Sequence, residues 1–243
     1  MNIKDSFNKN GFVVIDNFFD EKEIEYIQKF IENWINNNIS EAFPKEIEKK
    51  LLPISNFENY HNFIKENKID HSMIASAKYR YIVPPSNIIE LIHKSKLFDY
   101  LQEFSGFKSF IKWQDPGFGW LGYRLIRASS SDGYPPSCKN WGAARDVYSI
   151  WLPIAGCNVS SNIRFLPGSH KREFEKYLPE NSKFTSGEFR LKENIPIERF
   201  VRPSVGKNAI IVYHPACIHS EDSSDQINTR LNLEYRFKPD NEN

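Results

Sequence analysis

The apolar residues of the N-terminal third recur at the spacing of α-helices. After Asp20, large apolar residues return every three or four positions, which predicts a helix with one face packed inward. These positions are Ile24, Ile27, Ile31, Trp34 and Ile35. Asp20, followed three residues later by Glu23, predicts a capping box at the start of this helix. A second apolar pattern predicts another helix from Ser86 to Gly106.

The remainder of the N-terminal region has a weaker pattern. Phe12–Ile15 is a short apolar run that is typical of a strand. Within residues 40–72, Pro44 and Pro53 interrupt any period, although Phe57–Asn67 favours a short helix. The histidines of this region are expected to be solvated rather than to bind a ligand; they are His61, His71 and His93.

From Phe107 onward, short apolar runs separated by Gly, Pro, Ser and Asp predict strands. The predicted strands are Phe110–Trp113, Trp120–Ala128, Val147–Pro153, Ile163–Leu166, Ala209–Tyr213 and Arg230–Phe237. Strands that follow two helices in this way predict a mainly β fold with N-terminal helices, a double-stranded β-helix of the jelly-roll or cupin type.

The predicted elements fit one domain. We expect a single domain over residues 1–243, with the strand and helices of residues 1–106 packed on a barrel formed by residues 107–243. Residues 172–205 form a long charged insertion in that barrel. Long ordered loops in compact domains are often lids or binding loops, so this insertion is a candidate for such a role.

The last two predicted strands carry the candidate chemistry. Ala209–Tyr213 is an apolar, β-branched run, and His219 follows it. After a polar turn, Arg230–Phe237 alternates between apolar and polar side chains. Alternation at a period of two predicts a strand with one buried face. If these two strands pair, a histidine ends one of them and an arginine begins the next.

These residues resemble the C-terminal half of the phytanoyl-CoA dioxygenase-like family of iron(II)/2-oxoglutarate oxygenases. Gly206, His219 and Arg230 match that family's glycine start, iron-binding histidine and 2-oxoglutarate-binding arginine. Three further stretches agree, the opening strand and helix, the middle strands and the PGSH turn; they are Gly11–Trp34, Ile150–Gly156 and Phe165–Lys171. The resemblance spans roughly residues 10 to 237 and implies iron(II) and 2-oxoglutarate as cofactors, with His219 as a metal ligand and Arg230 as the cosubstrate anchor.

The chain departs from that family at the other two metal ligands. The family has His-X-Asp before the strand that corresponds to Tyr148–Pro153, whereas this chain has Cys138, Lys139 and Asn140. An amide oxygen binds iron more weakly than a carboxylate, and a thiolate prefers softer metals. Four carboxylates are near enough in sequence to replace the missing one, although none has the family spacing; they are Asp132, Asp146, Glu221 and Asp222.

Three functions are therefore compatible with the sequence. The first is an oxygenase that retains iron and 2-oxoglutarate in a rebuilt metal site. The second is an iron-independent enzyme without these cofactors, in which Cys138 is the nucleophile or acid and His219 or His214 is the base. The third is a non-catalytic binding protein.

The residues around the expected cleft indicate a small polar substrate. Arg124 and Arg127 either face the barrel and meet an anionic substrate or lie on a solvated outer face. Lys139, Trp141 and Tyr148 lie in or beside the Cys-Lys-Asn segment, where aromatic walls suit a sugar ring. The specific expectation is oxygenation of a small polar metabolite, such as a sugar in bacterial surface-polysaccharide synthesis.

Composition narrows the partners and the location. The net charge of +1 gives no reason to expect a nucleic-acid partner. Three cysteines are too few for a disulfide framework, which favours reduced thiols in a cytoplasm. We expect neither a signal peptide nor a membrane span, because no apolar run approaches about 20 residues. The oligomeric state does not follow from these features.

Overall fold

The computed structural model describes residues 2–43, 52–113, 119–128, 132, 137–139, 147–177, 188–220 and 227–240. At residues 77, 95, 137–139, 176 and 188–190 the description covers the backbone. The α-helices are α1 Ile3–Asn10, α2 Glu21–Ala42, α3 Tyr60–Glu66, α4 His71–Ile74, α5 Ala77–Arg80, α6 Ser86–Ile92 and α7 Ser95–Ser105. The 3-10 helices are Ile54–Asn59, Ser169–Lys171 and Ile197–Arg199. The strands are β1 Phe12–Ile15, β2 Phe110–Lys112, β3 Leu121–Ile126, β4 Ser137–Lys139, β5 Tyr148–Ala155, β6 Arg164–Phe165, β7 Lys176–Tyr177, β8 Glu188–Leu191, β9 Ile210–Tyr213, β10 His219–Ser220 and β11 Arg230–Pro239.

The first long helix, α2, begins where the sequence predicts. The Asp20 carboxylate accepts a hydrogen bond from the Glu23 amide at 2.9 Å, and the Glu23 carboxylate accepts one from the Asp20 amide at 2.8 Å. The two side chains thus satisfy amides that have no partner within the helix. The predicted apolar stripe packs inward, and its four isoleucines are buried.

The second predicted helix is divided into α6 and α7 at His93. The backbone of His93 leaves the helical conformation there, and Gly106 ends α7 in the left-handed region at φ 78°. The His93 ring lies 5.2 Å from the rings of both Trp120 and Phe237, between centroids. The expectation of a solvated His93 was therefore wrong, since the helix break turns this side chain into an aromatic cluster.

The strands form two antiparallel sheets. The large sheet has the order β1-β9-β5-β11-β2, with β3 also paired to β11. The small sheet has the order β6-β10-β4-β8-β7. All six predicted strands are found within a residue or two, so the prediction of N-terminal helices followed by antiparallel strands is confirmed. The helices are too extensive for the term mainly β, which is not confirmed.

Two hydrophobic cores lie on opposite faces of the large sheet. The larger core lies between that sheet and the helices, and Leu231, Leu233 and Tyr235 of β11 project into it. The smaller core contains Trp151 of β5 and Phe165 of β6, so it lies between the two sheets. Strand β11 is buried along both faces. The prediction of one buried face was therefore wrong, because the polar side chains of β11 are also enclosed.

The helices of the described ranges are not of membrane-spanning character. None of them is both long enough and apolar enough to cross a bilayer.

Candidate functional site

His219 lies at the middle strand of the small sheet. It begins β10, opposite Phe165 of β6 on one side and Ser137 of β4 on the other. The side chain is buried, with 3 % of its surface exposed. Its Nδ1–H donates a hydrogen bond to the Cys217 carbonyl at 2.9 Å, since a carbonyl can only accept. A neutral ring held in this way presents Nε2 as its coordinating nitrogen, the orientation found in metal-bound histidines.

Strand β4, which contains the first two residues of the Cys-Lys-Asn segment, runs directly beside His219. Cys138 and Lys139 belong to β4, in which Cys138 pairs with Phe189 and Lys139 with Glu188 of β8. Strand β8 comes from the charged insertion, which therefore adds to the small sheet next to this segment. Asn140 and Trp141 lie outside the described residues. The structure thus brings the backbone of residues 137–139 and His219 together, as the family resemblance predicts.

Arg230 lies in the other sheet, at the first position of β11. Its side chain is fully buried, and its Nη1 donates a hydrogen bond to the Ser161 carbonyl at 2.6 Å. The loop that supplies Ser161 also carries Cys157, whose thiol pKa burial raises to about 11. The thiol therefore stays protonated at neutral pH, as expected of a packed cysteine and not of a nucleophile.

The polar face of β11 is directed toward the small sheet. Glu234 lies opposite Trp151 in the β11–β5 pair, and residues opposite each other across a pair project to the same face. Trp151 packs against Phe165 of the small sheet in the smaller core. Arg230, which alternates in phase with Glu234, therefore projects from the large sheet into the same interior that His219 borders.

A buried ion cluster and an orphan amide continue this polar face. The Glu234 carboxylate accepts a hydrogen bond from Arg236 at 2.5 Å and lies 3.5 Å from Nε of Arg124 on β3. Arg124 thus faces the interior, which answers the question that the sequence left open. Asn232 is fully buried between Arg230 and Glu234, and neither its oxygen nor its nitrogen has a hydrogen-bond partner among the described residues. Such a group is expected to bind a ligand or water.

Arg127 makes a different contact from Arg124. It follows the end of β3, and its guanidinium binds both oxygens of Asp132, with distances of 2.6 and 2.7 Å. Nε2 of His71 lies 3.3 Å from the same carboxylate, and the Tyr60 hydroxyl lies 3.3 Å from Nδ1 of His71. Burial raises the pKa of Tyr60, so that its hydroxyl remains a donor, and lowers the pKa of His71.

This network corrects one expectation and gives one candidate carboxylate a partner. His71 is buried in the network, so the expectation of a surface histidine was wrong. Asp132 is the counter-ion of Arg127, and it lies 3.3 Å from Nε2 of His71. The other replacement candidates lie outside the described residues; they are Asp146, Glu221 and Asp222.

Tyr148 does not line the interior between the sheets. Its ring packs in the larger core, 6.3 Å from the Phe7 ring and 5.8 Å from the Phe110 ring, between centroids. Tyr148 and Trp151 are an odd number of residues apart on β5, so they project to opposite faces. The expectation that Tyr148 forms an aromatic wall of the site was therefore wrong. Trp151 faces the site instead, and within the described ranges its indole Nε1 has no hydrogen-bond partner.

The described residues hold part of the expected donor set for iron and 2-oxoglutarate. His219 has the orientation of a metal ligand, and Arg230 is a buried cation suited to a carboxylate. Across the described ranges, no group of three or more His, Cys, Asp and Glu side chains is placed to hold a metal ion. The side chains of Cys138 and Asn140 lie outside the described residues. Their assignment to the family's other two ligand positions therefore rests on the sequence.

Sequence reasoning missed several members of the site. Asn232 and Glu234 were read as the solvent face of β11, and Arg80, which borders a cavity beside β3, carried no signal. The polar alternation of β11 gave no sign of this burial, because a strand with one solvated face shows the same pattern.

The chain resembles known proteins in sequence and in structure. No protein-family model matches the chain. One curated relative is the Phytanoyl-CoA dioxygenase domain-containing protein 1 homolog of Caenorhabditis elegans, 23 % identical over 256 residues, covering 94 % of this chain and 87 % of the relative. The resemblance to the phytanoyl-CoA dioxygenase-like family is thereby confirmed.

Solved structures show the same fold. EctD from S. alaskensis, solved with 2-oxoglutarate and 5-hydroxyectoine, has a TM-score of 0.59 and 13 % identity over 97 % of this chain and 74 % of its own. The epimerase SnoN, solved with Fe3+, alpha ketoglutarate and nogalamycin RO, has a TM-score of 0.52 and 12 % identity over 98 % of this chain and 82 % of its own. The non-heme monooxygenase ThoJ has a TM-score of 0.59 and 13 % identity over 98 % of this chain and 77 % of its own. At 12–13 % identity, these likenesses show that the chain shares the fold of these non-heme and 2-oxoglutarate-bound proteins.

Proposed function

We propose that this chain is a phytanoyl-CoA dioxygenase-like oxygenase that uses iron(II) and 2-oxoglutarate to oxygenate a small polar metabolite. One observation carries the proposal. The buried guanidinium of Arg230 and the buried imidazole of His219 project from opposite sheets into one polar interior. A non-catalytic β-sandwich would fill that space with apolar side chains, because enclosing charged groups there is costly.

The scaffold we propose for this site is a double-stranded β-helix. Strands β3, β11, β5 and β9 are consecutive neighbours in one sheet, while β10 lies between β4 and β6 in the other. Phe165 of β6 also forms a bridge with Val201, which provides the outer strand position of the small sheet. We propose a single domain over residues 1–243, since the helices and the large sheet share one core.

The proposed cofactor contacts follow from the two sheets. His219 binds iron through Nε2, and the Arg230 guanidinium binds a carboxylate of 2-oxoglutarate. Cys138 and Asn140 occupy the family's other two ligand positions, where the Asn140 amide oxygen is the weaker substitute for a carboxylate. When bound, iron(II) would activate dioxygen, which is the oxidant, and 2-oxoglutarate would be the co-substrate that is decarboxylated to succinate and carbon dioxide. The chain would orient these groups and exclude bulk water.

The proposed substrate class follows from the polar interior. Arg124, Asn232 and Glu234 offer charged and amide groups, and a lipid chain would leave them without partners. A sugar of bacterial surface-polysaccharide synthesis is the specific substrate that we propose, with Lys139 and Trp141 as further contacts. A cytoplasmic location and independence of nucleic acid belong to the same proposal.

Metal and cosubstrate assays test this function directly. Protein purified without chelators should contain or take up iron(II), and should convert 2-oxoglutarate to succinate when iron(II) is added. The variant His219→Ala should lose iron uptake, whereas His61→Ala, on the helical layer, should retain it. The proposal is rejected if the wild type neither binds iron(II) nor consumes 2-oxoglutarate.

A further inference from the structure

A cavity lies between the helical layer and the outer edge of β3. It has a volume of about 520 Å³, which suits a small metabolite. Helix α4 forms one wall with His71 and Ser72, and β3 forms the other. Arg124 lines this cavity and also contacts Glu234 of the buried polar face. The cavity therefore adjoins the interior that holds Arg230 and His219.

Two of the arginines of this cavity already have counter-ions. Arg127 is bound by both oxygens of Asp132, and Arg124 lies 3.5 Å from Glu234. The relay from Tyr60 through His71 to Asp132 fixes this arrangement, because each hydroxyl or ring N–H has a defined acceptor. These groups form a rigid wall, and among the described residues none of their carboxylates pairs with the third arginine.

Arg80 is that third arginine, and it is held in a fixed orientation. Its Nη2 donates a hydrogen bond to the Tyr81 hydroxyl at 2.8 Å, and its guanidinium stacks 4.9 Å from the centre of the Tyr81 ring. Across the part of the chain that the structure describes, Arg80 forms no ion pair with a carboxylate. The other acid of the lining, Asp70, is exposed and accepts a hydrogen bond from the Ser72 amide.

We propose that this cavity binds the primary substrate, and that it takes a small metabolite with an anionic group, a carboxylate or a phosphate, on Arg80. A half-buried guanidinium that is stacked and preoriented loses little entropy on binding an anion, and it offers paired N–H donors. Arg124 then meets the end of the same molecule that reaches the polar interior. The identification of this metabolite as the primary substrate rests on the proposed function, whereas the presence of an anion site at Arg80 does not.

Anion binding to the metal-free protein tests the site without any turnover. Inorganic phosphate and acetate are titrated separately by calorimetry, with sodium chloride added to hold the ionic strength constant. We expect saturable binding of one of these probes, and the preferred probe identifies the phosphate or carboxylate class. Arg80→Gln should weaken that binding at least tenfold, and Arg80→Lys should weaken it less.

Matched variants locate the anion. Lys78→Gln removes a neighbouring cation that pairs with Glu41 outside the cavity, and it should leave binding unchanged. Binding that survives in Arg80→Gln but is lost in Arg230→Gln would place the anion at the cosubstrate anchor and overturn the proposal. An absence of saturable binding by either probe would overturn it as well. The wild type could also bind the anion through Arg80 and yet show no turnover of 2-oxoglutarate. That result would reject the proposed oxygenation and would still support the anion site.

Discussion

His219 lies directly opposite Ser137 across the antiparallel pair of β10 and β4. The ladder therefore sets residues 137–139 next to the histidine that we propose as a metal ligand. Placing the histidine and aspartate of the resembled family at positions 138 and 140 is then a direct test of the proposed site.

The double variant Cys138→His/Asn140→Asp should bind iron(II) more tightly than the wild type. It replaces a thiol and an amide by an imidazole and a carboxylate, which are the ligands that iron prefers in such sites. We expect a gain of about 100-fold or more, since even outer-shell changes alter metal affinity by about 10–100-fold. Anaerobic titration calorimetry measures it. No gain, or a gain that survives His219→Ala, would contradict the assignment.

Replacing Arg230 should abolish tight binding of 2-oxoglutarate. Each hydrogen bond to a charged group contributes about 1.5–3 kcal/mol, so Arg230→Gln is expected to weaken binding about 100-fold, and Arg230→Lys less. Titration with 2-oxoglutarate in the presence of manganese(II) provides the measurement. Arg172→Gln is the control, because Arg172 lies on the surface and pairs with Glu193. Equal affinity in Arg230→Gln and in the control would exclude Arg230 as the anchor.

Asn232→Leu should raise the stability of the ligand-free protein. Both polar atoms of Asn232 are buried without a hydrogen-bond partner in the part of the chain that the structure describes, and an unmade hydrogen bond of this kind costs about 1–3 kcal/mol. Leucine removes that cost at similar volume, so we expect a gain of about 1–2 kcal/mol in the free energy of unfolding. Urea denaturation of the metal-free protein provides the measurement.

Asn36 is the matched control for Asn232. It is also buried, but its side chain donates to the Leu52 carbonyl at 2.9 Å and accepts from the Leu52 amide at 3.0 Å. Asn36→Leu should therefore lower the free energy of unfolding by about 1–3 kcal/mol. If Asn232→Leu destabilises the protein as Asn36→Leu does, Asn232 has a hydrogen-bond partner in the folded protein. Its amide group would then not be available to bind a ligand.

Acidification should destabilise the fold through His93 and His214. Burial lowers the pKa of each to about 4, whereas an unfolded histidine titrates near its usual value of about 6.5. Below pH 6.5 the unfolded state therefore binds protons that the folded state does not, and stability falls until about pH 4. Because both rings are partly exposed, we expect a loss of about 1 kcal/mol for each histidine between pH 7 and pH 5.

Denaturation at a series of pH values checks this expectation. The double variant His93→Gln/His214→Gln should show a smaller dependence between pH 6.5 and pH 5 than the wild type, because glutamine does not titrate. The remaining dependence comes from His71 and His170, whose pKa values burial also lowers. A wild-type protein whose unfolding free energy is flat over that window would show that these rings are solvated in solution.

Local signals predicted the parts of the fold that depend on local physics. The Asp20 capping box, the isoleucine stripe of α2 and the alternation of β11 each follow from neighbouring residues. Helix α1 gave no such signal, since Phe7 is its one buried residue. Strand β4 is three residues long and exists through its pairing with β10 and β8, which no local pattern records.

The sequence predicted the site residues that belong to a family motif. It did not predict the residues whose positions depend on tertiary contacts. His219 and Arg230 were placed from motif spacing, and the structure sets both in the same interior. Arg124 contacts Glu234 because both lie on one face of the paired strands β3 and β11. Arg127 follows the end of β3 and contacts Asp132, which lies five residues further along the chain. Tyr148 was misplaced because the phase of β5, one residue either way, decides which core a side chain joins.

Strand β11 is buried on both faces, so its pairing register decides which of its side chains enter each core. A slip of one residue against β3 or β5 would exchange the faces, sending arginine and glutamate side chains among the helices and leucines toward the other sheet. Because burying unpaired charges among the helices is costly, the slipped register is strongly disfavoured. The same energetic preference that folds the large sheet therefore also aligns the polar groups of β11.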